Sequence, residues 1–364
     1  MNGLRELSGF RLGEAFAARE TIPELAYELA APGPGGPAGG PARGPAGGPA
    51  RGLDAFKAGV LARTVSLTLL AGSGSRWQST LAAARAEGRL SGEAASFDAS
   101  LPRGLFPVRD LLTGAASIPI AAYSIAALAG TGAHLIAVRG HEEAIRTGIL
   151  DRLGLDRDNW VFFTQEAPSG RPQGHGDAAW QCRALWREWD WIVVNFGGDP
   201  SSRPTVEASL LALAALSTSA AREGLSPVDC LLPVARVAEP AYPIELDDSG
   251  RPLGFGHNKL RGRRETLDAE YGYANIGLRM YRCSALAAML EDFRSRYWAE
   301  GKGYAIPGND PAAAECALDN IDEEFARQGR ARILPIALSE ELSPVKSFPD
   351  VGRFEVSMAR ILGL

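Results

Sequence analysis

Apolar positions in this chain fall into two alternating textures. Short, nearly unbroken runs rich in branched residues stand at Val65–Leu70, His134–Val138, Trp160–Thr164, Trp191–Phe196, Cys230–Val237 and Ala331–Leu338. Each is bounded by glycine, proline or polar residues, and none has a helical period. Such runs predict strands buried in a sheet. Between them, apolar residues recur every three or four positions. That spacing predicts helices at Leu53–Ala62, Gln78–Arg89, Ile118–Leu128, Glu142–Leu150, Ala178–Trp189, Val206–Arg222, Met280–Phe293 and Phe354–Ile361. Strand and helix alternate through most of the chain, which predicts an α/β protein with a doubly wound, mostly parallel sheet. The stretch Glu245–His257, turning at Asp248-Ser249-Gly250, predicts a small antiparallel hairpin.

Two stretches stand outside this alternation. Residues 1–30 read as one or two amphipathic helices, with Leu4, Leu7, Phe10, Leu12, Phe16, Ile22, Leu25 and Leu29 as apolar positions. Residues 31–52 are almost wholly Pro, Gly and Ala, a composition that cannot bury a core and predicts a disordered tether. The body of the protein is then 53–364. Within it, Leu111–Val138 carries no Asp, Glu, Lys or Arg and could be mistaken for a membrane span. Gly114, Pro119, Gly130, Gly132 and His134 interrupt it, so the reading is a buried helix, a turn and a strand.

Composition narrows the function classes. The chain has 364 residues, 46% hydrophobic and 22% charged, enough for a sizeable core. A net charge of −5 disfavours a nucleic-acid binder that relies on phosphate contacts. Cys182, Cys230, Cys283 and Cys316 lie far apart with no C-x-x-C pair, which argues against a zinc site or disulfide framework and fits a reducing cytoplasm. The first residues carry charges throughout and no apolar core of a secretory signal.

The candidate chemistry gathers at strand ends. Ala71-Gly72-Ser73-Gly74-Ser75-Arg76 follows the first strand. Glycines there let backbone N–H groups turn toward one point, the serines add hydroxyls, and Arg76 adds a fixed charge. Arg103 stands between Pro102 and Gly104, and on its own reads as an exposed arginine beside a proline turn. Gln165 ends the third strand. On its own it reads as a polar residue that caps a strand end, with an amide that offers both a donor and an acceptor. Gln173-Gly174-His175-Gly176-Asp177 opens a helix; His175 could be a ligand, a base, or a packing and capping residue. Trp191–Phe196 delivers Gly197-Gly198-Asp199 to a carboxyl end, where α/β sheets bind ligands. Asp190, at the opposite end, reads as structural.

Taken together these segments resemble the sugar-1-phosphate nucleotidyltransferases, or sugar-nucleotide pyrophosphorylases, over about residues 65–360. Leu70–Arg76 is similar to their L-[AG]-G-x-G-[ST]-R signature, and Gly174–Asp177 to the G-H-G-D of UDP-glucose pyrophosphorylases. The resemblance continues at Gly198-Asp199, and at Asn275 and Gly277 of the x-N-x-G segment. It implies a nucleotidyltransferase that joins a nucleoside triphosphate, UTP by preference, to a sugar-1-phosphate with release of pyrophosphate. It assigns Ala71, Gly72, Ser73, Gly74, Ser75, Gln165, Gly174, His175 and Gly198 to the nucleotide, and Arg76 and Arg103 to the phosphates. Asn275, Gly277 and His257 fall to the sugar, and Asp199 and Asp350 to magnesium. Three departures are visible. Arg103 stands where the family has lysine, the stretch from Arg76 to Arg103 is longer than is usual in the family, and Gly256-His257-Asn258-Lys259 replaces a segment that ends near a glutamate. A transferase of the same fold using CTP or GTP, and a catalytically degenerate regulator that binds a sugar nucleotide, are the alternatives. A Rossmann oxidoreductase is disfavoured because the full G-x-G-x-x-G is absent. Neither a membrane nor a nucleic-acid partner is expected, and oligomeric state is left open.

Overall fold

A computed structural model describes residues 49–72, 75–167, 170, 173–222, 227–237, 244–246, 252–255, 272–307, 314–336, 345, 347–362 and 364. The expected N-terminal helices and nearly all of the expected tether lie outside these residues. So do Ser73, Gly74, His257 and the side chains of Ser75 and Arg76.

The chain enters on helix α1 (Pro49–Ala62), which begins inside the Pro/Gly/Ala tract rather than at Leu53. Proline suits a first helical position, where an N–H would have no intrahelical partner. There follow β1 (Thr64–Leu69), α2 (Ser75–Ala86), β2 (Pro107–Arg109), β3 (Ser117–Pro119), α3 (Ala121–Leu128), β4 (Ala133–Val138), β5 (Trp160–Thr164), α4 (His175–Gln181), β6 (Trp191–Phe196) and α5 (Arg203–Arg222). The second half adds β7 (Cys230–Val237), β8 (Ile244–Leu246), β9 (Pro252–Phe255), β10 (Gly272–Asn275), β11 (Leu278–Arg282), α6 (Cys283–Tyr297), β12 (Trp298–Ala299), β13 (Gly303–Tyr304), α7 (Leu318–Arg327), β14 (Ala331–Ile336) and α8 (Asp350–Ile361).

The main sheet has eight strands. β10 and β11 lie end to end along one edge of β7, while β14 pairs its other edge, so the eight fill seven positions. The order across the sheet is β5, β4, β1, β6, β11 with β10, β7, β14. Pairings among β5, β4, β1 and β6 are parallel, as is β14 with β7. β11 runs antiparallel to both β6 and β7. β2–β3, β8–β9 and β12–β13 are separate antiparallel hairpins, and β8–β9 is the one expected around Asp248.

The central strands are buried on both faces because both faces are covered. Val65, Leu67, Leu135, Val194 and Leu232 pack with Ala178, Leu286 and Phe325 from α4, α6 and α7. On the opposite face, Ile136 and Val138 meet Ile125 of α3, while Val193, Leu231 and Met280 meet Leu210 and Leu213 of α5. This arrangement corrects the expected helix over Met280–Phe293. Met280 and Tyr281 are buried on opposite faces, as a central strand requires, and the helix starts only at Cys283. The expected helix at Ala178–Trp189 is also shorter. It stops at Gln181 and tightens into a 3₁₀ turn at Arg183–Leu185, which carries Trp186 into the core to donate to the Ala179 carbonyl at 3.0 Å. Leu111–Val138 resolves into β3, α3, a turn and β4. Among the described residues no helix is long and apolar enough to cross a membrane. All four cysteines are buried free thiols.

Candidate active site

From β1 the chain goes to β4 on one side. From β6 it goes to β7 on the other. Loops leaving neighbouring parallel strands in opposite directions open a crevice at their carboxyl ends. Here Leu70-Ala71-Gly72 leaves β1, and Gly197-Gly198-Asp199 leaves β6. The Gly197 N–H donates to the Leu69 carbonyl at 3.1 Å, and the Asp199 N–H closes a turn on the Phe196 carbonyl at 2.7 Å.

A single turn of 3₁₀ helix, Arg103–Leu105, lies across this crevice. A Cβ on Gly104 would stand 2.4 Å from Leu70 Cδ2 and 3.3 Å from the Gly197 carbonyl oxygen, so only glycine lets the turn seat so deeply. Arg103 then reaches Asp199, its Nη2 donating to Oδ1 at 3.0 Å. Asp199 is 1% exposed; the Arg103 side chain is 17% exposed. The guanidinium lies against the bare backbone of Gly198, where a Cβ would come within 2.2 Å of Nε. On the other side, Gly277 (φ +86°) backs the carboxylate; a Cβ there would be 2.7 Å from Asp199 Cβ. Asn275 Oδ1 accepts from the Gly277 N–H at 2.7 Å and holds that turn. Asn195 Nδ2 donates to the Asp199 carbonyl at 3.3 Å.

Gln165 leaves β5 at the same edge of the sheet. It is three strand spacings from β6, roughly 14 Å at the usual separation. Its side chain is buried and Nε2 donates to the Gly174 carbonyl at 3.0 Å. Gly174 (φ +95°) has no room for a side chain, since a Cβ would stand 2.4 Å from the Cys316 carbonyl oxygen. The Gly176 N–H donates to that same oxygen at 2.8 Å. His175 Nδ1 accepts from the Leu318 N–H at 2.8 Å, leaving the proton on Nε2, 3.7 Å from Asp319 Oδ2. The ring edge meets Phe196, 4.8 Å between centroids. His175 is thus a strut between α4 and α7, the packing role among its possible ones. Asp177 is fully buried and accepts from Arg294 at 3.0 Å, Tyr304 at 3.1 Å and Gln181 at 2.6 Å. Burial holds the Asp177 pKa above the ordinary carboxylate range despite these partners. Arg294 lies 3.7 Å from the ring centroids of both Trp180 and Trp298.

The structure therefore brings Arg103, Gly198, Asp199, Asn275 and Gly277 into direct contact, and separately Gln165 with Gly174. Ala71 and Gly72 leave β1 at the same edge. Asp350 stands in the first turn of α8. Its Oδ2 accepts from the Ser347 N–H at 2.7 Å and Oγ at 2.8 Å, and its Oδ1 faces Arg353. That is a helix-start role. A groove of about 470 Å³ beside β2, Phe348 and α8 holds none of the expected site residues.

Magnesium takes oxygen ligands, usually one or two carboxylates completed by substrate phosphates. Asp199 offers one such carboxylate, packed against Gly277, where a Cβ would stand 2.7 Å from Asp199 Cβ. Among the described residues no group of three His, Cys, Asp or Glu side chains is placed to hold a metal ion. The donor set fits an ion that arrives with phosphates better than one caged by protein.

Sequence reasoning missed one neighbouring cluster. Arg279 of β11 is 3% exposed, donates from Nε to Asp322 at 2.8 Å and from Nη2 to Asp319 at 2.7 Å, and lies 5.1 Å from the Phe196 ring. Tyr281 donates to Asp322 at 2.5 Å. A lone arginine in a strand gives no local signal; the spacing of Asp319 and Asp322, one helical turn apart, was the only legible part. No protein-family model and no curated protein matches the chain.

Proposed function

We propose that this protein is a nucleotidyltransferase, joining a nucleoside triphosphate to a sugar-1-phosphate and releasing pyrophosphate. The observation that carries the reading is Arg103 laid across the crevice between β1 and β6, in contact with Asp199, on a floor of Gly104, Gly197 and Gly198. An arginine and a carboxylate held together at a glycine-lined sheet edge suit a site for polyphosphate and a divalent cation. In this reading the sheet is the doubly wound core of a nucleotidyltransferase, and the β8–β9 hairpin belongs to the sugar side.

In the reaction a phosphate oxygen of the sugar-1-phosphate forms a bond to the α-phosphorus, and the bond from that phosphorus to the bridging oxygen of pyrophosphate breaks. The nucleophile is already an anion, so no residue need take a proton, in keeping with His175 acting as a strut. The chain's task is to hold two polyanions in line and to offset charge on the leaving group. Arg103, with Arg76 and the backbone from Gly72 onward, grips the triphosphate. Asp199 would hold magnesium, which when bound would offset phosphate charge. Asp350 serves α8, so the mount rests on Asp199.

Gln165 favours a uracil-like base. One of its N–H groups goes to Gly174, which leaves an acceptor oxygen and a second N–H for a ring edge with a donor beside an acceptor. Asn275 and Gly277 adjoin the sugar. The test is a pyrophosphate-release screen crossing nucleoside triphosphates with sugar-1-phosphates. Magnesium-dependent release with UTP and at least one sugar phosphate is expected; no release from any pair sinks the reading.

A further inference from the structure

We propose that the outer edge of β5 is a pairing surface for a second copy of this chain, the two β5 strands meeting antiparallel about a two-fold axis at Phe162. The inference stands apart from the nucleotidyltransferase reading and needs no ligand.

The backbone defines the edge. β5 ends the main sheet, with β4 on its inner side and no other described strand against it. The Gln165 N–H donates to the Val138 carbonyl at 2.8 Å. Backbone groups alternate in direction along a strand. Those of Val161 and Phe163 therefore also face β4, and those of Trp160, Phe162 and Thr164 face outward. Both ends of this outward row are closed. The Trp160 N–H turns back to the Arg157 carbonyl. Past the strand, the Gln181 side-chain amide accepts from the Glu166 N–H at 2.9 Å and donates to the Glu166 carbonyl at 3.2 Å, as a neighbouring strand would. Between those closures the N–H and C=O groups of Phe162 and Thr164 have no partner among the described residues.

The side chains leave this edge unprotected. A strand edge is a template for another chain unless charge, proline or a covering group blunts it. β2 is blunted in this way. Pro107 has no N–H, Glu355 accepts from the Arg109 N–H at 2.8 Å, and the Tyr123 hydroxyl donates to the Arg109 carbonyl at 2.7 Å. β14, at the opposite end of the main sheet, includes Arg332 and Pro335. β5 reads Trp-Val-Phe-Phe-Thr, with neither charge nor proline. Val161 is 46% exposed, an unusual state for valine in a sheet, and it shares a face with the half-buried Phe163.

A second β5 answers each feature. Phe162 is the middle residue of the strand, so a two-fold axis there lays the two strands together over their full length, each patch meeting its own copy. Phe162 exchanges both backbone bonds with its counterpart, and each Thr164 N–H meets the Trp160 carbonyl of the other copy. Val161 then stands opposite Phe163 of the other copy in the closely spaced, non-hydrogen-bonded pair. An aromatic ring against a β-branched side chain is a favourable cross-strand pair, and it takes Val161 out of water. A foreign strand could satisfy the backbone groups alone. The self-pairing satisfies them and supplies the apolar partner for Val161 from the same five residues.

The experiment is sedimentation velocity on the full-length chain over a concentration series. The wild type should approach twice the 38.5 kDa of one chain as its concentration rises to about 100 µM. Val161→Lys sets a charge opposite Phe163 of the other copy, at a position exposed enough to leave the single chain folded. It should raise the dimer dissociation constant about tenfold or more. Thr164→Pro removes an outward N–H without breaking a bond to β4, and should act in the same direction. Circular dichroism checks that both variants fold. In hydrogen exchange, the Phe162 and Thr164 amides should be slower in the wild-type dimer than in Val161→Lys. A wild type that stays monomeric throughout overturns the proposal. So does a dimer that survives both substitutions, because its contact lies elsewhere. Equal protection of those two amides in wild type and Val161→Lys also overturns it, since another part of the same chain would then cover the edge.

Discussion

Two arginine–aspartate assemblies lie near the same edge of the sheet, and they are built oppositely. Arg279 grows from a central strand, is 3% exposed, and engages two carboxylates, with Tyr281 bonding one of them and Phe196 beneath. Arg103 grows from a one-turn 3₁₀ helix, is more exposed, and holds one carboxylate through one nitrogen. The Arg279 assembly joins β11 to α7 and has no simple way to rearrange without opening the core. The Arg103 pair is walled by glycines at 198 and 277. Equal chemistry is thus deeply buried and shared between two carboxylates in one place and nearer the surface in the other, and the supporting backbone makes the difference.

The comparison is most easily broken at Arg279. Replacing it with methionine leaves Asp319 and Asp322 partly or wholly buried without their cation, and should cost about 3–5 kcal/mol in urea unfolding. A loss near zero would mean that the cluster does not hold β11 to α7. Asp199→Asn comes next, and its effect is on activity. Pyrophosphate release should fall by roughly 10²–10³-fold, while the chain still folds cooperatively. Full activity in that variant would contradict the assigned role. Gly277→Ala should weaken both fold and site. A residue with a side chain at φ +86° costs about 1–2 kcal/mol, and its methyl group would push directly on Asp199. Unchanged stability there would show that the turn can relax.

The smallest effect is in pH dependence. Burial raises the Asp322 carboxyl to about 6, against 3.8 in a free chain. Between those values the folded protein holds a proton that the unfolded chain has lost, so this group's contribution to stability falls as pH rises from about 4 to about 6 and is level above that. His134 acts in the opposite sense. Burial lowers it to about 4, so its contribution is present above 6.5 and is lost as pH falls toward 4. The slopes overlap, so the useful measurement is the difference between proteins. Asp322→Asn should show a more positive slope of stability with pH over 4–6 than wild type. Identical slopes would remove Asp322 as the titrating group.

Strand positions were legible because their cause is local. Trp191–Phe196 is mostly apolar on both faces, and Val65, Leu67 and Leu69 alternate with buried Ser66 and Thr68, short unbroken patterns that a two-sided sheet strand tolerates. β11 was not legible in that way. Leu278-Arg279-Met280-Tyr281-Arg282 mixes charges into a core strand, and Arg279 is tolerated there only because α7 supplies its carboxylates. α7 itself shows Leu318, Ile321 and Phe325 at helical spacing, yet it also buries Asn320, Asp322 and Glu324, which hides the apolar stripe. At the site, the glycine-bearing strand ends could be read from sequence as places of close approach. The seating of His175 as a strut could not, because its partners Leu318 and Asp319 lie far along the chain.

The amino-acid order alone therefore settled that this chain forms an α/β body and that its glycines, Gln165 and Asp199 close the strands. Burial on two faces and tight turns are written within a few neighbouring residues. Only the folded arrangement decided that Arg103 and Asp199, 96 positions apart, touch, and that Asp350 serves a helix instead. Which charges meet depends on the order in which strands are laid side by side, and no short stretch of sequence carries that order.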